Sequence, residues 1–184
     1  NKVIALTMTE KKELENIYSD KNNITIIPNG ITKLDIDVAY LSKKDLFRKF
    51  GIDKKFIDHK LIFSIGRLDK RKGQIYLLEA VNTLKNQNIV CVIYGSDWGE
   101  YASLVKFKTE NTLDNVFIIK EMSQLDKHNF LEVSDLFVLP SLQEAFGIVY
   151  LEAMQHGVAC IGTDAGAMKD VILDTLGSRA KIAD

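Results

Sequence analysis

The sequence predicts an α/β protein whose parallel sheet is doubly wound, with helices on both faces. Short apolar runs rich in β-branched residues alternate along the chain with longer segments of helical period, which is the order expected of repeated βαβ units. The runs are apolar at consecutive positions, as strands are when helices cover both faces of a parallel sheet. Hydrophobic residues make up 46% of the 184 residues, so a self-supporting core is expected.

Five strands and the helices between them are predicted in order along the chain. The strands are Ile62–Ile65, Ile89–Tyr94, Val116–Ile119, Leu136–Leu139 and Val158–Ile161. The helices are Gly73–Lys85, Tyr101–Glu110, Lys127–Val133, Ala145–His156 and Ala167–Leu173. In the first helix, Ile75, Leu78, Val81 and Leu84 form one apolar stripe. Ser123 is a predicted N-cap, and Gly157 is a natural stop for the fourth helix.

The first sixty residues do not fit cleanly into this alternating unit. We expect strands at Val3–Thr7 and Ile24–Ile27, a helix at Glu10–Tyr18, and a turn at Pro28–Gly30. A capping pattern from Ser42 to Asp45 predicts a further helix that ends at Gly51.

Composition and charge limit the possible partners. The chain has 24 basic and 25 acidic residues, so no overall field attracts nucleic acid or an anionic membrane, and an anion site must be built locally. Cys91 and Cys160 lie inside apolar strand-like runs, which favours buried thiols in a reducing compartment, with the cytoplasm as the expected location. No apolar stretch reaches the length of a membrane span.

A phosphate or diphosphate site is predicted where the first strand of the large sheet ends. Gly66 closes that strand, and Arg67 and Lys72 flank the approach to the next helix. A helix N-terminus with an arginine and a lysine beside it suits an anion, although a solvated charged loop explains the same residues. The spacing from Gly66 to Gly73 fits neither the dinucleotide fingerprint nor the P-loop, so the usual support for NAD binding and for P-loop phosphoryl transfer is missing.

A second candidate group follows the fourth strand and contains two carboxylates. Glu144 and Glu152 are eight residues apart, which would be about 12 Å along a continuous helix and too far for paired glycosidase carboxylates. The spacing suits two hydroxyl-rich groups on either side of a diphosphate. The alternative is a helix-terminal charge and a solvated face residue, but Glu152 lies on an apolar helix, where an unpaired carboxylate is costly.

The remaining candidates give weaker signals. The loop 162–167 could offer backbone N–H groups to an anion. Trp98 is either a loop-packing residue or a platform for a base, with packing favoured. The three histidines show no metal-ligand spacing with each other or with the cysteines, so surface or cap roles are expected for them.

Taken together and in order, these residues resemble one family. The matching segments are Ile27–Ile31, Gly66–Leu68 with Lys72–Gly73, the strand into Gly95, Phe137–Ser141, the Glu144-to-Glu152 pair around Phe146–Gly147, and Gly162–Gly166. They resemble the C-terminal, donor-binding half of the family 4 GT-B glycosyltransferases, also called group 1 glycosyltransferases. The resemblance implies a Rossmann-like domain, the C-terminal half of a GT-B architecture.

The resemblance also implies a function and roles for individual residues. It implies retaining transfer of a sugar, of the hexosyltransferase type, from a nucleotide-sugar to an acceptor hydroxyl in glycan or polysaccharide synthesis, with no metal or other cofactor. Arg67 and Lys72 would hold the donor diphosphate, Glu144 would bind sugar hydroxyls near the reacting carbon, and Glu152 would bind the ribose. The other donor-binding positions would be Gly66, Phe146, Gly147 and Ile148.

Domain organisation and partners follow from the same resemblance. Residues 1–32 would be the end of an N-terminal domain with a crossover segment, and residues 33–184 a C-terminal nucleotide-sugar-binding domain truncated at both ends. An acceptor glycan or lipid-linked acceptor would bind through the missing N-terminal domain, and the full-length protein would be peripheral to a membrane. We expect this fragment alone to be inactive. The alternatives are a sugar-nucleotide epimerase relative and a non-catalytic Rossmann-like nucleotide-binding or interaction module.

Overall fold

The protein is described by a computed structural model that covers residues 2–18, 21–32, 39–84, 86–173, 175 and 177–182. These residues form two parallel sheets, one of two strands and one of six. The strands are β1 (Val3–Ala5), β2 (Ile24–Ile26), β3 (Lys60–Ile65), β4 (Ile89–Tyr94), β5 (Val116–Ile119), β6 (Leu136–Val138), β7 (Ala159–Thr163) and β8 (Gly177–Ala180). The helices are α1 (Met8–Glu15), α2 (Lys43–Lys49), α3 (Gln74–Thr83), α4 (Tyr101–Glu110), α5 (Gln124–Glu132), α6 (Ile148–Gln155) and α7 (Met168–Val171).

The six-stranded sheet has the order β5-β4-β3-β6-β7-β8, and every neighbouring pair is parallel. The chain builds outward from β3 to β5, returns to the centre at β6, and builds outward again to β8. The prediction of a doubly wound parallel sheet is therefore confirmed. Strand order reverses between β3 and β6, and in such sheets the crevice at the carboxyl ends of these two strands is the usual ligand site.

Alternate residues of the central strands supply two cores, one on each face of the sheet. Leu61 and Phe63 of β3 pack in a cluster with residues of α2, α5 and α6. Ile62, between them, packs on the opposite face with residues of α3 and α4. The predicted strands are apolar at consecutive positions because helices cover both faces of the sheet, as expected.

Both helix caps predicted from serine residues are confirmed. The Ser42 hydroxyl accepts a hydrogen bond from the Asp45 backbone N–H at 3.2 Å, and the Ser123 hydroxyl accepts one from the Asp126 N–H at 3.0 Å. Each bond satisfies one of the N–H groups that the first turn of a helix leaves without a partner. These bonds set the first residues of α2 and α5.

The structure also corrects the sequence prediction at several elements. A sixth strand, β8, extends the sheet, where five were predicted. α6 begins at Ile148 instead of at residue 145, because Gly147 has a φ of 76° and interrupts the helical backbone. α7 is only the four residues Met168–Val171. In α3, Leu77 is buried while Leu84, one of the predicted stripe, is 45% exposed, because the helix ends at Thr83.

The N-terminal residues form a small unit beside the large sheet. β1 pairs in parallel with β2, and α1 connects them. The Thr9 backbone N–H donates to an Asp170 carboxylate oxygen at 2.7 Å, so α1 contacts α7. The predicted domain boundary between residues 32 and 33 adjoins the range 33–38, which lies outside the described residues, so the two-domain division stays a prediction. Of the helices in the described ranges, none is long and apolar enough to cross a bilayer.

Candidate functional site

A cavity of about 280 Å³ lies where the sheet order reverses, at the carboxyl ends of β3 and β6. It is lined by Leu6, Asn29, Ile65, Gly66, Lys72, Leu139, Glu144, Ala145, Phe146, Gly147, Ile148 and Val149. Six of the eight residues predicted for the site are in this lining. The two others, Arg67 and Glu152, lie outside it.

Lys72 and Glu144 form an ion pair in this cavity. The Lys72 Nζ lies 2.6 Å from Glu144 Oε2, and the two side chains are only 17% and 11% exposed. The Ser141 hydroxyl is 3.4 Å from the same carboxylate oxygen. Because the pair is largely shielded from water, each charge depends on the other for stabilisation. A lysine and a carboxylate 72 residues apart in sequence are thus brought together at the switch point.

The position of Lys72 depends on close contact between two loops. Lys72 ends a 3₁₀ turn that begins after Asp69, and Gly73 follows with a φ of 65°. A Cβ at Gly73 would lie 2.0 Å from the Pro140 carbonyl oxygen, so a side chain there would force the loops apart. The Leu142 N–H donates to the Arg71 carbonyl at 2.7 Å. The loop after β3 is therefore fixed against the loop after β6, which carries Glu144.

The first turn of the Lys72 loop has its own ion pair. The Arg71 guanidinium contacts Asp69 at 2.6 Å, and the Asp69 carboxylate also accepts the Arg71 backbone N–H at 2.9 Å. The hydrogen bonds from Arg71 hold the pKa of the Asp69 carboxyl well below its usual range. Arg71 is thus occupied within the loop, and Lys72 is the cation that faces the cavity.

The Glu144 backbone is held by the last loop of the domain and by α6. A Cβ at Gly166 would lie 2.5 Å from the Glu144 carbonyl oxygen, and the Ala167 N–H donates to that oxygen at 3.4 Å. This N–H, expected from the sequence to be available to an anion, has an internal partner. Tyr150 lies beneath the loop and donates its hydroxyl to the Leu139 carbonyl. Burial, with a smaller contribution from Glu144, raises the pKa of Tyr150.

Arg67 lies beside the cavity and contacts an aromatic ring. Its guanidinium carbon is 4.6 Å from the centre of the Trp98 ring, and Trp98 is 59% exposed. The Gln74 side-chain amide donates to the Arg67 carbonyl at 2.8 Å and to the Gly66 carbonyl at 3.2 Å, which fixes the backbone at the end of β3. Trp98 is therefore not a buried packing residue. Its ring is in contact with Arg67 and would have to exchange that contact to stack on a base.

Glu152 forms a second ion pair, with a residue that the sequence interpretation did not identify. Lys127 Nζ lies 2.6 Å from Glu152 Oε1, and the side chains are 9% and 19% exposed. An unpaired carboxylate is costly on this helix, and Lys127 of α5 supplies the partner that Glu152 needs. Lys127 shows no local signal in the sequence, because its partner is 25 residues away on another helix.

Two histidines meet beside this second ion pair. His128 Nδ1 lies 2.9 Å from His156 Nε2, and His156 Nδ1 lies 2.8 Å from a Glu132 carboxylate oxygen. His156 is the C-cap residue of α6, as expected, but its side chain is fully buried and not on the surface. Burial and the nearby Lys127 charge lower the pKa of His128. The lowered pKa favours the neutral form of His128, which limits the positive charge near Glu152.

The arrangement suits binding of an anion next to hydroxyl groups. Lys72 can exchange its carboxylate partner for a phosphate oxygen, since one anion replaces another, provided that Glu144 gains other hydrogen-bond donors in place of the lysine. Gly66 and Gly147 leave the backbone bare at the cavity wall. Glu144, once released, can accept hydrogen bonds from hydroxyl groups. Among the lining residues within the described ranges there is no cysteine, serine or histidine to act as a covalent nucleophile.

Comparison with known proteins identifies the family. The model of the family described as "Glycosyl transferases group 1" matches residues 42–178. An uncharacterized glycosyltransferase of Methanocaldococcus jannaschii is 29% identical over 175 residues, which is 92% of this chain and 44% of the relative. A UDP-Gal:alpha-D-GlcNAc-diphosphoundecaprenol alpha-1,3-galactosyltransferase of Escherichia coli is 32% identical over 162 residues, 83% of this chain and 40% of the relative. The chain spans less than half the length of these curated relatives.

A solved structure shows the same fold. The Anabaena protein HepE, crystallised with UDP and glucose, superposes with a TM-score of 0.78 at 19% identity, over 97% of this chain and 49% of that protein. The Rossmann-like fold predicted from the resemblance is confirmed by this likeness.

Proposed function

Because this chain belongs to the group 1 glycosyltransferases, we propose that its cavity binds a nucleotide-sugar and that the chain is the donor-binding part of a sugar-transferring enzyme. The observation that carries the proposal is the shielded Lys72–Glu144 ion pair at the point where the sheet order reverses. The E. coli relative is named for a UDP-sugar donor, which supports a nucleotide-sugar as the ligand class.

In this proposal, Lys72 and Arg67 bind the diphosphate of the donor. The diphosphate replaces Glu144 as the partner of Lys72, and Arg67 leaves the Trp98 ring to contact the other phosphate. An exposed cation–π contact is worth about 0.5–1 kcal/mol, less than the about 1.5–3 kcal/mol of a hydrogen bond to a charged group. Movement of Arg67 from Trp98 to a phosphate is therefore favourable.

Glu144 and Glu152 recognise the two hydroxyl-rich parts of the donor. Release from Lys72 leaves Glu144 free to accept hydrogen bonds from the sugar, with the backbone of Phe146, Gly147 and Ile148 forming the adjacent wall. Glu152, held by Lys127, accepts hydrogen bonds from the ribose hydroxyls. The diphosphate lies between the two carboxylates, where Lys72 and Arg67 offset its charge.

The reaction we propose is a retaining transfer of a hexose on one face of the sugar. The bond between the anomeric carbon and the diphosphate oxygen breaks, and the acceptor oxygen forms its bond to that carbon from the same side. The acceptor hydroxyl gives its proton to the departing phosphate oxygen, and the nucleoside diphosphate leaves. Lys72 and Arg67 stabilise the negative charge that grows on the leaving group. Two cations in these positions make a metal ion unnecessary.

The acceptor is proposed to bind to a part of the protein other than the large sheet of this chain. We propose a glycan or a lipid-linked sugar as acceptor, bound by an N-terminal domain that faces the cavity, in a pathway of glycan or polysaccharide synthesis.

Calorimetric titration with UDP, GDP and ADP tests the proposal. We expect one of them to bind, and we expect Lys72→Ala to weaken that binding by about tenfold to a hundredfold, because one charge-assisted contact to the diphosphate is lost. Binding of the corresponding nucleoside should not change. Lys70→Ala is the matched control, since Lys70 is an exposed residue in the same turn, and it should leave both affinities unchanged.

Two results would contradict the proposal. Absence of binding by all three nucleotides at millimolar concentration would exclude a donor site in this chain. Equal loss of diphosphate and nucleoside affinity in Lys72→Ala would show that Lys72 does not contact the diphosphate.

A further inference from the structure

The two charges in the candidate donor cavity have few partners besides each other. Lys72 is the cation and Glu144 the anion of the lining, which within the described ranges contains no second residue of either charge. Glu144 Oε2 lies 2.6 Å from Lys72 Nζ and 3.4 Å from the Ser141 hydroxyl. The Glu144 side chain is 11% exposed, so water gives it little stabilisation. Any ligand that takes Lys72 therefore deprives a shielded carboxylate of its main partner.

The arginines of the same loop do not offer Glu144 another partner. Arg71 pairs with Asp69 at 2.6 Å. Arg67 lies outside the cavity lining, against the Trp98 ring. Among the residues that the structure describes, the Glu144 carboxylate forms a single ion pair, the one with the lysine. The ligand itself must therefore compensate the carboxylate when it displaces the lysine.

A nucleotide-sugar and a nucleoside diphosphate differ in this respect. Both carry phosphate oxygens that can take Lys72 as a partner. The nucleotide-sugar also brings sugar hydroxyl groups, which can donate hydrogen bonds to Glu144. The nucleoside diphosphate has no sugar at that position, and its terminal phosphate places a second anion beside the carboxylate. The ion pair is therefore broken at lower cost by the donor than by the product that remains after sugar transfer.

We propose that Glu144 promotes release of the nucleoside diphosphate by recapturing Lys72. This inference rests on the proposed function, in which the diphosphate and the sugar of the donor occupy this cavity. Once the sugar has been transferred, Glu144 loses its hydroxyl donors and competes with the terminal phosphate for the lysine. Lys72 exchanges one anionic partner for another, and this exchange forms and breaks no covalent bond. Glu144 thus stabilises the bound donor and destabilises the bound product.

Calorimetric titration of Glu144→Gln with UDP, GDP and ADP tests the inference. The amide has the size of the carboxylate without its charge, so this variant holds Lys72 less strongly. We expect the nucleoside diphosphate that binds the wild type to bind the variant at least about tenfold more tightly, because no charge-assisted hydrogen bond has to be broken. Most of the gain should appear as slower dissociation in stopped-flow measurements. Glu144→Ala, a second variant, should shift the affinity in the same direction.

Two controls separate competition for Lys72 from simple repulsion between anions. In a Lys72→Ala background, Glu144→Gln should raise the affinity less than about threefold, because there is no lysine to recapture. Repulsion would act in both backgrounds and give the same rise. Glu13→Gln removes an exposed carboxylate that lines a small cavity of about 110 Å³ together with Glu144. It should change the affinity less than about twofold, because water and salt screen an exposed charge. Urea unfolding shows whether each variant retains the fold.

Three results would overturn the inference. They are unchanged or weaker nucleotide binding by Glu144→Gln, the same rise in the Lys72→Ala background, and a comparable rise in Glu13→Gln. If Lys72→Ala weakens nucleotide binding while Glu144→Gln leaves it unchanged, the proposed function stands and only this inference fails. If the wild type binds none of the three nucleotides, the proposed function fails and the inference fails with it.

Discussion

The Lys127 ammonium group lies 2.6 Å from a Glu152 oxygen, and both side chains are mostly buried. At such a position, removal of one partner leaves the other charge without compensation in a poorly hydrated environment. Lys127 therefore compensates the Glu152 carboxylate on a mainly apolar helix.

We predict that Lys127→Met lowers the free energy of unfolding by about 1–3 kcal/mol, the cost of leaving a buried polar group unpaired. The double variant Lys127→Met/Glu152→Leu should recover part of this loss, because it removes both charges. Urea denaturation of the two variants measures both effects. Lys106→Met is the control, since its partner Glu110 is 3.8 Å away and both side chains are more than half exposed; a loss above about 0.5 kcal/mol is not expected there. A double variant no more stable than Lys127→Met would contradict the pairing.

The contact of Arg67 with Trp98 provides an internal optical probe, because Trp98 is the single tryptophan of the chain. We predict that Arg67→Met changes the tryptophan emission spectrum by removing the charge above the ring. A bound nucleoside diphosphate should change the wild-type spectrum and leave that of Arg67→Met unaltered. Steady-state fluorescence measures both. Arg71→Met, which removes a guanidinium held by Asp69, should retain the wild-type emission. Identical spectra for Arg67→Met and wild type would exclude the contact in solution.

At the scale of elements, the distance between the loops after β3 and β6 is set by a glycine. Gly51 and Gly73 both have a φ of 65°, but a Cβ at Gly51 would have no neighbour within 4 Å, whereas one at Gly73 would lie 2.0 Å from the Pro140 carbonyl oxygen. An alanine would have the same backbone strain at both positions, but only at Gly73 would its Cβ clash with the Pro140 carbonyl oxygen.

We predict that Gly51→Ala costs about 1–2 kcal/mol, the strain of a left-handed backbone with a side chain, and that Gly73→Ala costs more than about 3 kcal/mol, because loop separation is added. The free energies of unfolding in urea give the comparison. Separation of the loops should also displace Lys72, which precedes Gly73, from the cavity, so Gly73→Ala should lose nucleotide affinity while Gly51→Ala keeps it. Equal destabilisation by both substitutions would show that the close approach to Pro140 does not occur.

Elements with a strong local pattern could be predicted from the sequence, and those without one could not. β4, β5 and α4 have the predicted bounds because each is a continuous apolar run or a helix between clear breakers. β8 has the sequence Gly-Ser-Arg-Ala and shows no apolar run, because an edge strand needs only backbone pairing on one side. α6 begins three residues after its predicted start because Gly147 has a φ of 76°. A Cβ there would lie 2.7 Å from the Tyr150 ring and 2.9 Å from the Met168 side chain, so the need for glycine depends in part on packing that the local pattern does not show.

Across the whole molecule, the candidate site follows from the order of strands. Residues at strand ends, such as Gly66, Lys72 and Glu144, could be predicted because all parallel strands bring their carboxyl ends to one edge. The Lys127–Glu152 and Arg67–Trp98 contacts could not be predicted, because they join separate elements with no pattern of spacing between the partners. The two thiols lie on opposite faces of the large sheet, Cys160 in the cluster with α6 and Cys91 in the cluster with α3 and α4.

Both thiols are buried. The free energy of unfolding of the whole domain should therefore depend on their protonation at high pH. Burial raises the pKa of Cys91 from 9.0 to about 12, so the folded state keeps a proton that the unfolded state releases above about pH 9. This contribution is fully present below pH 9 and is lost as the pH rises from 9 towards 12. At pH 10 the loss amounts to about 1.4 kcal/mol for one thiol.

We predict that Cys91→Ala, although less stable at pH 8 because of the cavity it creates, loses less stability between pH 8 and pH 10 than the wild type, by about that amount. Urea titrations at the two pH values measure the difference, and parallel losses in the two proteins would contradict a buried, protonated Cys91.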